Sequence, residues 1–239
     1  MKLDILVFAV HPDDAELGCS GTIIKQIKAG KKVGIVDFTQ GELGTRGTIE
    51  TRTAEAAAST EIMGLTVREN LKLRDGFFKN DEEHQRTIIQ IIRKYQPEII
   101  LTNALYDRHP DHGRAFNLAN DAIFLSGLRR IETEGVDGVG QEAWRPRLTL
   151  QYIQDTYIKP DIIVDITKEM DQKVEAIKAF KTQFYSADTT EPQTYISTPA
   201  FLEAVVARAR EMGKNIGATF GEGFTSKKLL GVDDIFNLR

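Results

Sequence analysis

Apolar residues follow two alternating rhythms along the chain. Residues 3–10 (LDILVFAV) form a short, nearly continuous apolar run, as expected of a strand covered on both faces. In the following HPDDAELGCSGTIIKQIKAGKK, Leu17, Ile23, Ile24 and Ile27 recur at helical spacing, and Gly30 with two lysines marks a helix end. Residues 33–38 (VGIVDF) read as a second buried strand, so the chain opens β-α-β and predicts a parallel sheet. A loop rich in Gly and Thr over 39–50 leads to an alanine-rich helix from Thr51 to Met63. A weaker strand (VRENLKL), the Asp75-Gly76 turn and a helix over 82–95 continue the alternation; Pro97 ends that helix, and 98–102 is a fourth strand.

A loop containing YDRHPDHGR precedes a helix from about 114 to 127, and the Gly-rich span 135–140 predicts no element. Strands are expected near 148–153 and 161–165, with helices over 167–181 and 198–212 and a polar stretch (SADTTEPQ) between those helices. There is no repeat of solenoid period and no low-complexity tract. The fold expected is α/β and Rossmann-like: a mostly parallel sheet with helices on both faces and an active site at the carboxyl ends of the strands. One domain over 1–239 is expected, with 1–127 as the core and 128–239 as its continuation with a lid and C-terminal helices.

Composition narrows the partners. With 35 acidic and 31 basic residues the net charge is −4, which gives no footprint for a nucleic-acid backbone or an anionic membrane. No apolar run approaches the roughly 20 residues of a membrane span, and the charged MKLDILVFAVHPDD is not a signal peptide. The single Cys19, read as a small buried hydrophobe, excludes an internal disulfide and suits a reducing, cytoplasmic location.

Three of the four histidines fall in two short clusters, His11-Pro12-Asp13-Asp14 after the first strand and His109-Pro110-Asp111-His112 after the fourth. Ligands of open parallel sheets bind at the carboxyl ends of strands, so two clusters distant in sequence are expected to converge. Imidazole and carboxylate suit zinc, and a catalytic site takes three protein ligands. His11, Asp14 and His112 are the candidates. Asp13 is then left to act as general base, and His109 as acid or oxyanion stabiliser. An Asp-Asp pair after a strand is also an ordinary helix N-cap. His84, in DEEHQR, reads as a solvated helix residue.

HPDDAELGCSGT and HPDH, with GELGTRG between them and TRTAEAAAS, LRDGFF and FGEGF elsewhere, resemble the LmbE-like, or PIG-L, zinc-dependent deacetylases. These remove the acetyl group from N-acetylglucosamine conjugates. In length and detail the chain is most similar to the bacillithiol-biosynthesis branch, which acts on N-acetylglucosaminyl malate. The resemblance implies zinc on His11, Asp14 and His112, with iron(II) as another possible ion. It also implies Asp13 as base, His109 as acid or stabiliser, and Asp111 as the carboxylate that polarises His109. It maps the sugar-binding arginine onto Arg52 and the loop aspartate onto Asp75, and implies a homo-oligomer. Some relatives carry a tyrosine just before the second cluster. Here Asp107 and Arg108 precede His109 and Tyr106 lies further away, which makes Arg108 a candidate ligand for an acidic group of the substrate.

Glu42 and Arg46, in the glycine-rich loop, are softer substrate-binding candidates, and Arg52 is better placed because guanidinium suits hydroxyl and carboxylate recognition. Gly41, Gly44 and Gly47 lack the GxGxxG spacing of a phosphate-binding turn. The function expected is hydrolytic deacetylation of a small N-acetylglucosamine conjugate. A chitooligosaccharide or another such conjugate is the alternative substrate. Two histidines and one carboxylate also make the facial triad of iron oxygenases. The missing glycine fingerprint weighs against a non-catalytic nucleotide-binding protein, and the lack of four cysteine-rich ligands against a structural zinc site.

Overall fold

β1 (Ile5–Ala9) explains why the first apolar run has no polar side. Alternate residues serve two cores: Leu6 and Phe8 join one apolar cluster, and Ile5, Val7 and Ala9 another. The first cluster takes in α3 (Glu82–Tyr95) and α4 (Pro110–Ser126), and the second takes in α1 (Asp14–Lys28) and α5 (Met170–Lys178). Helices thus cover both faces of the sheet. The structure is a computed structural model, which describes residues 1–185 and 190–238.

The strands β2 (Val33–Thr39), β3 (Val67–Leu73), β4 (Ile99–Thr102), β5 (Leu148–Tyr152), β6 (Ile162–Asp165) and β7 (Gly221–Thr225) join β1 in one seven-stranded sheet of order β3-β2-β1-β4-β5-β7-β6. β1 to β5 run parallel, and β7 is antiparallel to both of its neighbours. The order reverses between β1 and β4, which makes their carboxyl ends the topological switch point. Strands from beyond residue 128 complete the sheet that the first half begins. No helix among the described residues is long and apolar enough to cross a membrane.

Several boundaries differ from expectation for local reasons. α2 (Ile49–Met63) starts before Thr51 because Thr48 and Thr51 form a capping box. α4 starts at Pro110 rather than near 114, with His109 as N-cap and proline at the first helical position. The second histidine cluster is therefore a helix start, not a loop. α5 is shorter than the 167–181 expected; the Thr167 hydroxyl instead accepts the amides of Thr219 and Phe220. α6 (Pro199–Lys214) is capped by Thr198. The 135–140 span carries only a single bridge, Glu134 to Gly140. Within SADTTEPQ, residues 186–189 lie outside the described residues.

β7 had no apolar signature because two of its five residues are glycine, which weakens a strand on its own. Tertiary packing requires one of them: a Cβ on Gly221 would lie 2.9 Å from the backbone of Gly213 in α6. β7 also supplies Glu222, whose carboxylate accepts the α1 amides of Gly21 and Thr22 at 2.9 and 2.7 Å. Lys173 of α5 donates to Glu222 at 2.7 Å and to the carbonyls of Glu16 and Leu17. This buried pair ties α5 and β7 to the helix whose first turn carries Asp14.

Candidate active site

β1 delivers His11 and β4 leads to His109, one on each side of the switch point. The expected convergence occurs. Ring centroids of His11 and His109 are 4.8 Å apart, those of His109 and His112 5.4 Å, and those of His11 and His112 5.9 Å. They line a cavity of about 410 Å³ together with Asp13, Asp14, Arg46, Arg52, Asp75, Arg108, Gln154, Thr194 and Tyr195. A larger apolar groove of about 950 Å³, between α5 and α6, holds none of the histidines. The clustered histidines and carboxylates are in the smaller cavity. His84 stays on α3 beside Asp81 and is not part of it.

Each of two imidazoles has one nitrogen held from behind by a carboxylate. His11 Nε2 is 3.0 Å from Asp75 Oδ1, and His112 Nδ1 is 2.8 Å from Asp107 Oδ2. Their other nitrogens face Asp14, with His11 Nδ1 3.6 Å from Oδ2 and His112 Nε2 3.2 Å from Oδ1. A tetrahedral site with bonds of about 2.0–2.2 Å needs ligand atoms roughly 3.3–3.6 Å apart; here the two imidazoles meet different oxygens of Asp14, His11 Nδ1 meeting Oδ2 and His112 Nε2 meeting Oδ1. Backing of a metal-binding imidazole by a carboxylate is the usual outer support. The donors are nitrogen and oxygen. Cys19 is buried on α1, and burial pushes its thiol well up.

The groups of three with metal-sized spacing among the described residues are His11, His109 and His112, and His11, Asp75 and Asp111; the expected set of His11, Asp14 and His112 is not one of them. In the second group the carboxylates already accept protein donors. Asp75 Oδ2 takes the Leu43 amide at 3.1 Å, and Asp111 takes the Gly76 amide at 2.9 Å and Arg114. Those two aspartates therefore suit support of His11 better than the inner position.

The same groups dominate the electrostatics. Burial would lower the His11 imidazole, but Asp111, Asp75 and Asp14 carry it up to about 9. Burial likewise works against His112, yet Asp14 and Asp107 carry it up to about 10. Burial opposes ionisation of Asp14, and the two imidazoles overcome it, holding the carboxyl well below its usual range. The cluster is built to hold positive charge.

Asp13 occupies the N-cap position of α1 without capping it. Its φ of 133° is a strained conformation for a residue with a side chain. The carboxylate turns to Arg52, with Nη2 to Oδ2 at 2.9 Å and both side chains buried. Arg52 also donates to the Pro12 carbonyl, and Gly41 leaves it room, since a Cβ there would collide with its guanidinium. Burial pushes Asp13 up to about 7 against the pull of Arg52. A carboxylate of that strength suits proton transfer near neutral pH.

The Asp111 carboxylate acts on His109 through its charge, without the hydrogen bond expected of a polarising partner. Asp111 instead gives its backbone amide to His109 Nδ1, at 3.3 Å, while its carboxylate serves Gly76 and Arg114. An accepting Nδ1 leaves the proton of the neutral ring on Nε2. Burial and the neighbouring His11 and His112 lower the His109 pKa and favour that neutral form.

The softer candidates divide. Arg46 is buried and lines the cavity, and its carbonyl accepts Gln183. Glu42 is not in the cavity wall; its carboxylate accepts the Asp75 amide at 2.7 Å and so shapes the turn. Arg108 reaches the rim, where it donates to Asp155 at 2.9 Å and stacks 4.3 Å from the Tyr195 ring centre. Tyr106 is outside the wall and exposed, whereas Tyr195 lines it. Sequence reasoning missed Tyr195, Asp107, Asn103 and Gln154. Asp107, two positions before His109, was the one with a visible signal; Asn103 and Gln154 reach Asp14, at 3.2 and 2.7 Å, only through the fold.

Residues 6–123 match the family PIG-L, GlcNAc-PI de-N-acetylase. The diacetylchitobiose deacetylase of Thermococcus kodakarensis is 29% identical over 192 residues, covering 75% of this chain and 70% of that protein. A Bacillus subtilis protein named probable N-acetyl-alpha-D-glucosaminyl L-malate deacetylase 2 is 26% identical, covering 77% and 84%. Among solved structures, conserved protein TT1542 of Thermus thermophilus superposes with a TM-score of 0.86 at 35% identity, covering 97% and 98%. The 4-carboxy-2-hydroxymuconate hydratase of Pseudomonas putida shares the fold, with a TM-score of 0.77 at 22% identity over 98% and 100%. With two histidine clusters gathered at the switch point and these relatives spanning most of its length, the chain belongs to the PIG-L family of de-N-acetylases.

Proposed function

We propose that this protein is a divalent-metal-dependent deacetylase of a small N-acetylglucosamine conjugate, with His11, Asp14 and His112 holding zinc. The observation that carries the reading is Asp14 facing two carboxylate-backed imidazoles, beside the Asp13–Arg52 pair and His109. Iron(II) fits the same donors. A bound cation would supply a Lewis acid for the amide carbonyl and would acidify water at the site.

The protein groups then divide the work. Asp13 accepts a proton from water as the water oxygen attacks the acetamide carbon. Arg52 holds Asp13 in its strained position. His109 Nε2–H donates to the oxygen that gains charge in the tetrahedral species. Collapse breaks the C–N bond, and the proton taken by Asp13 passes to the departing nitrogen, giving acetate and a free amine.

The substrate preferred in this reading is N-acetylglucosaminyl malate, as in bacillithiol biosynthesis. Support comes from the malate deacetylase relative and from Arg108, whose guanidinium at the cavity rim suits a carboxylate. Diacetylchitobiose is the alternative, from the first relative. The chain is read as one domain working in a reducing cytoplasm, consistent with its lone buried cysteine. Exposed apolar side chains near the C-terminus, among them Ile235 and Phe236, support a homo-oligomer.

The test is to supply N-acetylglucosaminyl malate, diacetylchitobiose and N-acetylglucosamine separately and measure acetate and free amine. Faster release from the malate conjugate is expected. Preference for diacetylchitobiose would replace the malate assignment. Absence of acetate from all three, with hydration of 4-carboxy-2-hydroxymuconate, would overturn the deacetylase reading.

A further inference from the structure

Three consecutive residues just beyond β5 reach the site in different ways. Gln154 donates to Asp14 Oδ1 at 2.7 Å, and the Thr156 amide donates to Asp107 Oδ1 at 2.7 Å, whose other oxygen faces His112. Between them, Asp155 turns to the rim. Its Oδ2 accepts Arg108 Nε at 2.9 Å, its Oδ1 accepts the Tyr195 hydroxyl at 3.2 Å, and Arg208 of α6 stands 3.6 Å from Oδ1. The rim is thereby tied through one short turn to the cluster around Asp14.

Arg108 is held on two sides. Asp155 takes its Nε edge, and the Tyr195 ring centre lies 4.3 Å from the guanidinium carbon. The Arg108 side chain is 47% exposed and lines the cavity, so it is open to a ligand. Its two Nη groups make no hydrogen bond among the described residues. Such a planar fork takes a carboxylate through two parallel N–H bonds. Two guanidinium groups, Arg108 and Arg208, share the one Asp155 carboxylate, so the group keeps a net positive charge. Asp155 therefore orients Arg108 without cancelling its attraction for an anion.

We infer that Asp155 is a positioning residue that fixes Arg108, under the ring of Tyr195, to receive a carboxylate of the substrate at the cavity rim. This rests on the malate-conjugate reading and adds to it the residue that sets the preference. A free arginine loses side-chain freedom when it binds an anion, and one already held by an acid and a ring loses less. Selectivity for an acidic conjugate thus depends on Asp155 through Arg108.

The experiment measures kcat and KM for the zinc-loaded wild-type protein, Arg108→Met, Asp155→Asn and the double variant. The substrates are N-acetylglucosaminyl malate and methyl N-acetylglucosaminide, which share the sugar and differ in the carboxylates. The readout is selectivity, the ratio of the two kcat/KM values. Arg108→Met should lower it by about 10–100-fold, the scale of a hydrogen bond to a charged group. Asp155→Asn should lower it by about three- to tenfold, through KM for the malate conjugate, and should lower it no further once Arg108 is gone. A merely structural Asp155 would act equally on both substrates, and its effect would persist without Arg108. Either result, or an unchanged ratio in Asp155→Asn, overturns the inference. A wild-type protein that deacetylates the methyl glycoside without favouring the malate conjugate removes the malate reading and the inference together, and leaves the deacetylase reading intact. Acetate release from neither substrate removes all three.

Discussion

Arg52 Nη2 lies 2.9 Å from Asp13 Oδ2, and this contact holds a buried carboxylate in a backbone conformation that side chains rarely adopt. Breaking it leaves Asp13 buried, strained and without its cation. Arg52→Met is expected to lower kcat by on the order of a hundredfold, since small misplacements of a reacting group cost that much. Arg52→Lys should recover only part, because the ammonium lacks the planar fork with which the guanidinium spans Asp13 and the Pro12 carbonyl. Steady-state kinetics of the two variants at equal zinc content checks the order.

Asp13→Asn retains shape and loses the basic oxygen. Turnover should fall by about 10²–10⁴-fold, with zinc retained. Near-normal acetate release from a zinc-loaded D13N protein would remove Asp13 from the role of base.

His112→Ala should bind little zinc, whereas Asp107→Asn, which changes only the group behind His112, should bind it about 10–100-fold more weakly. Chelator competition measures both. Full zinc occupancy in His112→Ala would contradict the ligand assignment.

Removing the metal should expose a pH dependence of stability with a definite sign. In the metal-free protein His11 and His112 are raised to about 9 and about 10, above the ordinary histidine value near 6.5. A raised folded-state value contributes stability that is fully present below about pH 6.5 and is lost as pH climbs through 9 to 10. Asp75 and Asp107 are buried, which opposes ionisation, yet their histidine partners lower them to about 2. Their contribution is present above about pH 4 and lost toward pH 2. Thermal melts of chelator-treated protein should therefore fall on the alkaline side, and zinc, which needs neutral imidazoles, should restore stability there most strongly. Melts that rise between pH 7 and 9.5 without metal would refute the pairing.

The Lys173–Glu222 pair should matter to stability more than any exposed ion pair. Both side chains are almost fully buried, and removing one partner strands a charge against the α1 backbone. Lys173→Met is expected to cost about 3–5 kcal/mol in urea unfolding. Glu222→Gln, which retains an oxygen for the Gly21 and Thr22 amides, should cost less.

Much of the sheet was legible because buried parallel strands announce themselves. LDILVFAV, VGIVDF and EIILT became β1, β2 and β4 within a residue or two at each end, each flanked by the expected helix. β7 was not legible, since GEGFT reads as a loop until the backbone of α6 is set against its glycine. The two histidine clusters were legible for a similar reason. A strand that ends in a polar, chemistry-bearing turn points to the edge where parallel sheets bind ligands. Asn103 and Gln154 carried no such mark, because their partner Asp14 is 89 and 140 positions away along the chain.

By itself, the sequence determined the alternation of strands and helices, the parallel start of the sheet and the two clusters that hold three of the four histidines. Those are local properties, written in periodicity and in short runs. Only the tertiary structure decided which groups stand behind each imidazole, that Asp13 faces Arg52 rather than capping its helix, and that Asp111 gives His109 an amide instead of a carboxylate. Hydrogen-bond partners depend on distance and direction in space, and residues brought together by a sheet crossover have no fixed spacing along the chain.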